Sequence, residues 1–566
     1  MLEKLQSMFS SSRLTPATAY LVVLLVWAGI YLPGLGILDI DFNESRRIMP
    51  AVSMLETGNW RTPSLVGEEY FKKPPMINWL IASSFAINGE RSEFAARLPS
   101  VIFVLLFVSV LVLMPSELLS LRARLMSAIL FMTAYGSIDN GRQIEIDSVY
   151  ACLTGIATVC WLNFWSGSVL SRFKLWIIPS LVLGAGLLLK GPLILLFFYL
   201  VVLSVIISEK KLKELLRYEH FAGIALMCLI FFSWAFFINS PQQGQSQQMA
   251  GTWLNEITKR FNSEDVNVFL WGKRVLGAVM GYFPWLVLLP FFWNGKWVSN
   301  IDCRHRKVFI ACRLAFVLPF IIVNIMPGAK ARYSYPLFCL AFIMLGWLLS
   351  VQPGISTVVG KIWKKILFFI LPLISSISLF FLAVAALNYF NVFSAVSPKI
   401  EGLLAPLKNT AVIFPIFVSS VLIAVFAYSV VNRRTLINGY GMIVVLSGMT
   451  VACIVLAYAF FILPAVRPEV SRFKSRLGKE LSAQVKGDIL YTYQIECAPF
   501  LFYVRPRVEF LLKPEQIGGD VRFLLSRTEL HAELKESGVI SDRKPREVFK
   551  FKIKKTEYQL MELGEK

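Results

Sequence analysis

The sequence predicts a polytopic α-helical membrane protein with a small C-terminal α/β domain on the outer face. Three observations carry that reading. The 566 residues are 56% hydrophobic and 16% charged, with a mean hydropathy of +0.62, too apolar for a soluble chain of this size. Apolar runs recur near 17–35, 98–114, 120–135, 148–166, 174–189, 191–208, 220–238, 274–293, 308–326, 335–350, 365–388, 411–431 and 438–463. They give about thirteen spans, each near the ~20 residues that cross hydrocarbon. From about residue 464 the pattern changes to short β-rich runs (DILYTY, VEFLL, VRFLL, VFKFKI, YQLMEL) around a helix-like TELHAELKES, and roughly 100 residues suffice for a small domain.

Taken in order, the first run (17–35) is followed by no small-residue cleavage site, so it reads as a retained helix and not a signal peptide. At Lys190-Gly191-Pro192 either two helices meet at a turn or one helix kinks. Basic residues gather in alternate loops: Lys4 and Arg13, Arg122 and Arg124, Arg172 and Lys174, 209–217, 296–307, Lys361 with Lys364 and Lys365, and Arg433-Arg434. The positive-inside rule makes that side the cytoplasm. The N-terminus is then inside, and an odd number of spans puts the C-terminus outside. The net charge of +21 is therefore topological, and no nucleic-acid partner is expected. The domain division is 1–463 for the membrane part, including a long first outer loop at 37–97, and 464–566 for the outer domain.

Composition also narrows the chemistry. Eight cysteines are scattered and only Cys497 lies in the C-terminal polar region, which rules out a disulfide framework there. His220, His305 and His531 show no metal-ligand spacing, which argues against a histidine-built zinc site.

Charges concentrate at the outer mouths of the spans: Asp41, Glu44, Arg46, Lys73, Arg142, Asp147, Lys190, Lys330 and Arg332, with Tyr333 beside them. Ionisable groups at membrane depth are costly unless paired or solvated, and they mark substrate paths. Cations suit a phosphate, which arginine can hold bidentately, and carboxylates suit a general base or an electrostatic role. Each residue has a plainer reading as well. Arg46-Arg47 and Lys72-Lys73 would suit anionic lipid headgroups, Arg142 with Asp147 a helix cap, Lys190 a snorkelling helix end, and Tyr70 and Phe71 an interfacial belt.

The first outer loop, NESRRIMPAVSMLETGNW, resembles the signature of the polyprenyl-phosphate-sugar glycosyltransferases of GT-C fold. The branch it resembles is that of the lipid A aminoarabinose transferases, alongside the protein O-mannosyltransferases. The residues that carry the likeness are Asn43-Glu44-Ser45-Arg46, Thr57-Gly58-Asn59-Trp60 and Tyr70-Phe71-Lys72-Lys73-Pro74. Further matches are Arg97-Leu98-Pro99-Ser100, Gly141-Arg142 with Asp147, Lys190-Gly191-Pro192, Phe283-Pro284-Trp285, and Lys330 with Tyr335-Pro336. The likeness covers most of the membrane part.

It implies transfer of a sugar from an undecaprenyl-phosphate donor to lipid A, another envelope glycan or a protein, at the periplasmic face of the bacterial inner membrane. Arg46, Lys73 and Arg142 are the candidates for the donor phosphate, followed by Lys330 and Arg332. Tyr70, Phe71, Lys72, Tyr333 and Tyr335 are candidates for lining the substrate. The family aspartate of loop one is here Asn43, so a base role passes to Asp41, Glu44 or Asp147. The family's Glu-His in the third outer loop is here Glu256-Ile257, so no metal or other cofactor is expected. A transporter or flippase is the competing class. It should show internal repeats and charged helices at mid-membrane; the sequence shows no repeat, and its charges lie at span ends.

Overall fold

The computed structural model describes residues 14–65, 68–69, 73–167, 171–238, 268–326, 329–352, 358–390, 410–432, 439–462, 472–495, 497–536, 540, 543–553 and 555–564. Along the chain the principal elements are α1 (Pro16–Tyr31), α2 (Phe42–Thr57), β1 (Ser64–Leu65), β2 (Glu68–Glu69), α3 (Met76–Asn88), α4 (Glu93–Leu113), α5 (Leu121–Thr133) and α6 (Tyr135–Gly141). They continue with α7 (Ile146–Ser166), α8 (Arg172–Lys190), α9 (Leu193–Ser208), α10 (Tyr218–Ile238), α11 (Val268–Met280), α12 (Cys303–Ile325) and α13 (Pro336–Ser350). The last helices of this series are α14 (Val358–Tyr389), α15 (Thr410–Asn432) and α16 (Tyr440–Ala457).

Every apolar run in the sequence becomes helix. Among the described residues eight helices are long and apolar enough to cross a membrane, and α11 with the following 3-10 segment Trp285–Trp293 forms a bent pair (89°) that would make a ninth. The protein is a multi-pass membrane protein. The remaining runs give shorter helices, such as α1, α9 and α13. At Gly191 (φ +88°) the chain turns sharply between α8 and α9, so the Lys-Gly-Pro sequence is a turn and not a kink.

Residues 1–35 and 97–468 form one compact unit, and residues 36–96 with 469–566 form the other. In the first, α13 is almost wholly buried and packs on α5 and α7. Close approach is needed there: a Cβ on Gly346 would strike Ser127, and one on Gly155 would strike Phe107 and Cys339. The corner of the bent pair is also built in. Tyr135 and Gly136 donate their N–H groups to the Phe283 and Gly281 carbonyls (2.8 and 2.9 Å), and the Trp285 indole donates to Thr133 (2.9 Å). Irregular backbone survives at membrane depth only when such partners exist.

The second unit has a five-stranded sheet ordered β4-β3-β5-β7-β6, from β3 (Leu490–Tyr493), β4 (Val508–Leu511), β5 (Phe523–Arg527), β6 (Arg546–Ile553) and β7 (Thr556–Glu562). The β4–β3–β5 part is parallel and the β5–β7–β6 part antiparallel. All five sequence-predicted strands are present. Alternate residues enter two cores: Leu490, Phe523 and Leu525 pack with helix α17 (Phe473–Val485) on one face, and Tyr491, Tyr493 and Leu524 pack on the other. A strand covered on both faces reads as a continuous apolar run, which is why DILYTY stood out.

Loop one contributes α2, α3 and the β1–β2 hairpin to this unit. Asp39 caps α17 by accepting from the Lys474 N–H (2.7 Å). The Tyr503 hydroxyl accepts from Ile40 N–H (2.9 Å) and donates to Glu93 (3.2 Å). Arg472 pairs with Glu93 (2.7 Å), and Phe85 stacks on Phe502.

Candidate functional site

Four charged side chains meet in the first unit where α7 begins and α8 ends. Glu145 and Asp147 flank the start of α7, where acids are favoured by the free N–H groups of the first turn. Lys190 closes α8, and Arg332 lies on the 3-10 turn Ala331–Ser334. Lys190 Nζ donates to Asp147 Oδ1. Arg332 donates through Nη1 to Glu145 Oε1, and its Nε lies 3.2 Å from Asp147 Oδ2, within ion-pair range but without hydrogen-bond alignment. Asp147, Glu145 and Lys190 are buried, with side-chain exposures of 5, 6 and 8%, whereas Arg332 is 22% exposed. The Lys190 ammonium also lies 4.4 Å from the Tyr333 ring centroid.

The supports of this cluster come from distant segments. Asn324 Nδ2 donates to Ser334 Oγ (2.8 Å), and Arg274 donates to the Ala329 carbonyl (2.6 Å), so the 329–334 turn is tied on two sides. The Tyr150 hydroxyl donates to the Gly191 carbonyl (3.2 Å), fixing the turn that presents Lys190. Two cations are thus held by two carboxylates with little exposure. Such a site carries fixed charge that need not reorganise when negative charge develops nearby.

Of the residues expected from sequence, the structure brings Asp147, Lys190, Arg332 and Tyr333 together. Glu145 is the member that sequence reasoning passed over; its signal was the Glu-Ile-Asp triplet just before an apolar run. Lys330 is exposed beside them. Arg142 caps the end of α1, donating to the Ile30 and Pro33 carbonyls. Tyr335 is buried against Phe131 and Phe338 (centroids 6.1 and 5.0 Å).

The loop-one candidates belong to the second unit. Asp41 and Glu44 form a capping box at the start of α2: Glu44 N–H donates to Asp41 Oδ1 (2.8 Å), and Asp41 N–H donates to Glu44 Oε2 (3.1 Å). Glu44 is buried, while Asn43 on the next face is exposed. The Arg46 guanidinium lies over the Phe42 ring (5.7 Å). Lys73 is half-buried. Tyr70, Phe71, Lys72 and Glu256 lie outside the described residues. Among the described residues no group of three or more His, Cys, Asp or Glu side chains could hold a metal ion.

A fold of this kind defines a class. The whole architecture matches a crystal structure of ArnT from Cupriavidus metallidurans in the apo state, with a TM-score of 0.64 at 17% identity over 96% of this chain and 97% of that one. The same protein bound to undecaprenyl phosphate matches with a TM-score of 0.63. The chain therefore has the GT-C fold. In sequence, residues 72–236 match the family model described as dolichyl-phosphate-mannose-protein mannosyltransferase.

The particular likeness is to undecaprenyl phosphate-alpha-4-amino-4-deoxy-L-arabinose arabinosyl transferases. That of Pectobacterium carotovorum subsp. carotovorum (strain PC1) is 26% identical over 68% of this chain and 67% of its own length. That of Pseudomonas aeruginosa (strain UCBPP-PA14) is 25% identical over 62% of this chain and 61% of its own. The match spans about two thirds of these relatives, or somewhat less. The chain has the GT-C fold and is similar in sequence to these aminoarabinose transferases.

Proposed function

We propose that this protein is a glycosyltransferase that moves a sugar from an undecaprenyl-phosphate donor to lipid A or another envelope glycan. The observation that carries the reading is the Lys190–Asp147–Arg332–Glu145 cluster on a scaffold shared with proteins named for that transfer. In the reaction an acceptor oxygen attacks the anomeric carbon, and the bond from that carbon to the donor phosphate oxygen breaks. The electron pair leaves with the phosphate. Lowering the energy of that developing charge is the main catalytic contribution that fixed cations can make.

Arg332, the most exposed member, is the group we assign to the leaving phosphate, with Lys330 beside it and Lys190 behind it as a buried positive charge. Arg46 and Lys73 are the phosphate candidates that loop one offers. Arg142 already holds two carbonyls and so acts by fixing α1. Asp147 and Glu145 position the two cations. Where the acceptor is itself a phosphate it is already anionic and needs no base; a hydroxyl acceptor needs one, and Asp41, Glu44 and Asp147 are the carboxylates proposed for it. The membrane is the bacterial inner membrane, with the N-terminus cytoplasmic and residues 464–566 periplasmic.

Mass spectrometry of lipid A and core oligosaccharide, from cells with and without the gene, tests this reading. Loss of one sugar mass in the deletion, not restored by an Arg332→Ala copy, is the expected result. Unchanged lipid A and glycan would overturn it. The mannosyltransferase likeness of residues 72–236 favours a second reading, a protein hydroxyl as acceptor, and loss of glycoprotein with unaltered lipid A would establish that instead.

A further inference from the structure

A cavity of about 320 Å³ lies within the unit made by residues 36–96 and 469–566, and the transfer chemistry above makes no use of it. One side is α2, which presents Val52, Ser53, Glu56 and Thr57; the other is the edge strand β4 with Arg507 before it. Two ion pairs border the space, Arg91–Glu56 at 2.8 Å and Arg507–Glu509 at 3.1 Å.

The Thr57 hydroxyl donates to the Ser53 carbonyl (2.7 Å) and accepts from the Asn59 N–H (3.2 Å). On β4, the Arg507 and Leu511 carbonyls accept from β3 (Leu490 and Gln494 N–H). Alternate residues in a parallel ladder face opposite neighbours, so Val508 and Phe510 turn their N–H and C=O groups to the open edge.

This inventory selects a ligand chemistry. A phosphate would meet as many carboxylates as guanidiniums. An acyl chain would strand four charged groups without water, at a cost of several kcal/mol. A neutral polyol fits both: each hydroxyl donates to a carboxylate or carbonyl and accepts from a guanidinium or N–H, while the C–H face of a ring packs on Val52 and Phe510. The volume is at the small end of ligand pockets, enough for one or two rings.

We propose that the groove between α2 and β4 is a carbohydrate subsite that takes a pyranose ring of the acceptor glycan. Its role in acceptor selection rests on the glycan-acceptor reading above; binding itself does not.

The test uses the full chain in nanodiscs and di-N-acetylchitobiose as probe, read by saturation-transfer NMR. Ring protons should receive saturation from the wild type. Apparent affinity should fall at least tenfold in Arg507→Ala and in Glu56→Gln, two separate substitutions that each keep the thermal midpoint. Lys190→Ala should bind the probe normally while losing transfer.

No saturation in the wild type, or equal saturation in both groove variants, overturns the proposal. Displacement of the probe by an extended hexapeptide that pairs with β4 would make this a peptide groove and would also overturn it. Wild-type transfer to lipid A without probe binding sinks the subsite alone. Probe binding without any transfer sinks the glycosyltransferase reading alone.

Discussion

Asp147 has a side chain 5% exposed and two cationic neighbours. Taking such a charge out of water costs several kcal/mol, and removing one partner of a buried pair typically costs about 3–5 kcal/mol. Lys190→Met should therefore destabilise the protein by about 3 kcal/mol. Combining it with Asp147→Asn should recover part of that, with a coupling of about 1–3 kcal/mol. Thermal unfolding of the four members of this cycle, in nanodiscs, measures the coupling; strict additivity would show that the two side chains do not act as a pair. If the cluster serves the leaving phosphate, each single variant should also lose transfer by roughly 10²–10³-fold, as removal of a preorganised electrostatic group does. Stability rescued in the double variant without rescue of transfer is the pattern that separates a functional pair from a structural one.

Among the elements, the α8–α9 turn and the α17 cap make the clearest demands. Gly191 has φ +88° and ψ −162°, a region essentially reserved for glycine, where another residue costs of order 1–3 kcal/mol. Open space surrounds a Cβ built there, so Gly191→Ala should show that backbone cost alone, as a lowered midpoint without a packing defect.

Asp39 tests the other element. Burial raises its carboxyl above the ordinary value, opposed by the Lys474 and Ser475 N–H groups. A raised folded pKa means that the folded state holds the proton more tightly. The associated stability is complete below the unfolded pKa and is lost as pH rises through the raised value. Thermal midpoints measured against pH should therefore move in favour of Asp39→Asn over wild type as pH increases, whereas Asp39→Ala, which removes the cap, should lie about 1 kcal/mol below Asp39→Asn throughout. Parallel curves for wild type and Asp39→Asn would refute the assignment.

At the level of the whole molecule, the apolar runs and the strand runs were legible because both rest on local periodicity, which hydrophobic burial writes into consecutive residues. The capping box at Asp41-Phe42-Asn43-Glu44 was equally local, an acid at the cap and Glu at the third position, yet its two acids read as chemistry because they sat in a polar loop. Helix α17 was passed over since RFKSRLGKELSAQV buries only one narrow stripe, Leu477, Leu481 and Val485. The pairing of Arg332 with Glu145 spans 187 residues. Nothing local to either residue encodes it; only the packing of α7, α8 and the 331–334 turn does.

Topology is the remaining global quantity. The sequence predicts it: the seven basic loops would fall on one side of the apolar runs, and the cost of translocating Lys and Arg sets orientation. Alkaline phosphatase, which is active only outside the cytoplasm, should be active when fused after Lys566 and inactive when fused after Lys213. A fluorescent protein that matures only in the cytoplasm should give the opposite result at both sites. Reversal of both signs would place the Lys190–Asp147–Arg332–Glu145 cluster on the cytoplasmic side, and the proposed periplasmic transfer would fall with it. A reversal at Lys566 alone would mean an even number of spans. Because Arg332 pairs with Glu145 and Asp147, the change in count would then have to fall after Arg332, and the cluster would keep its side.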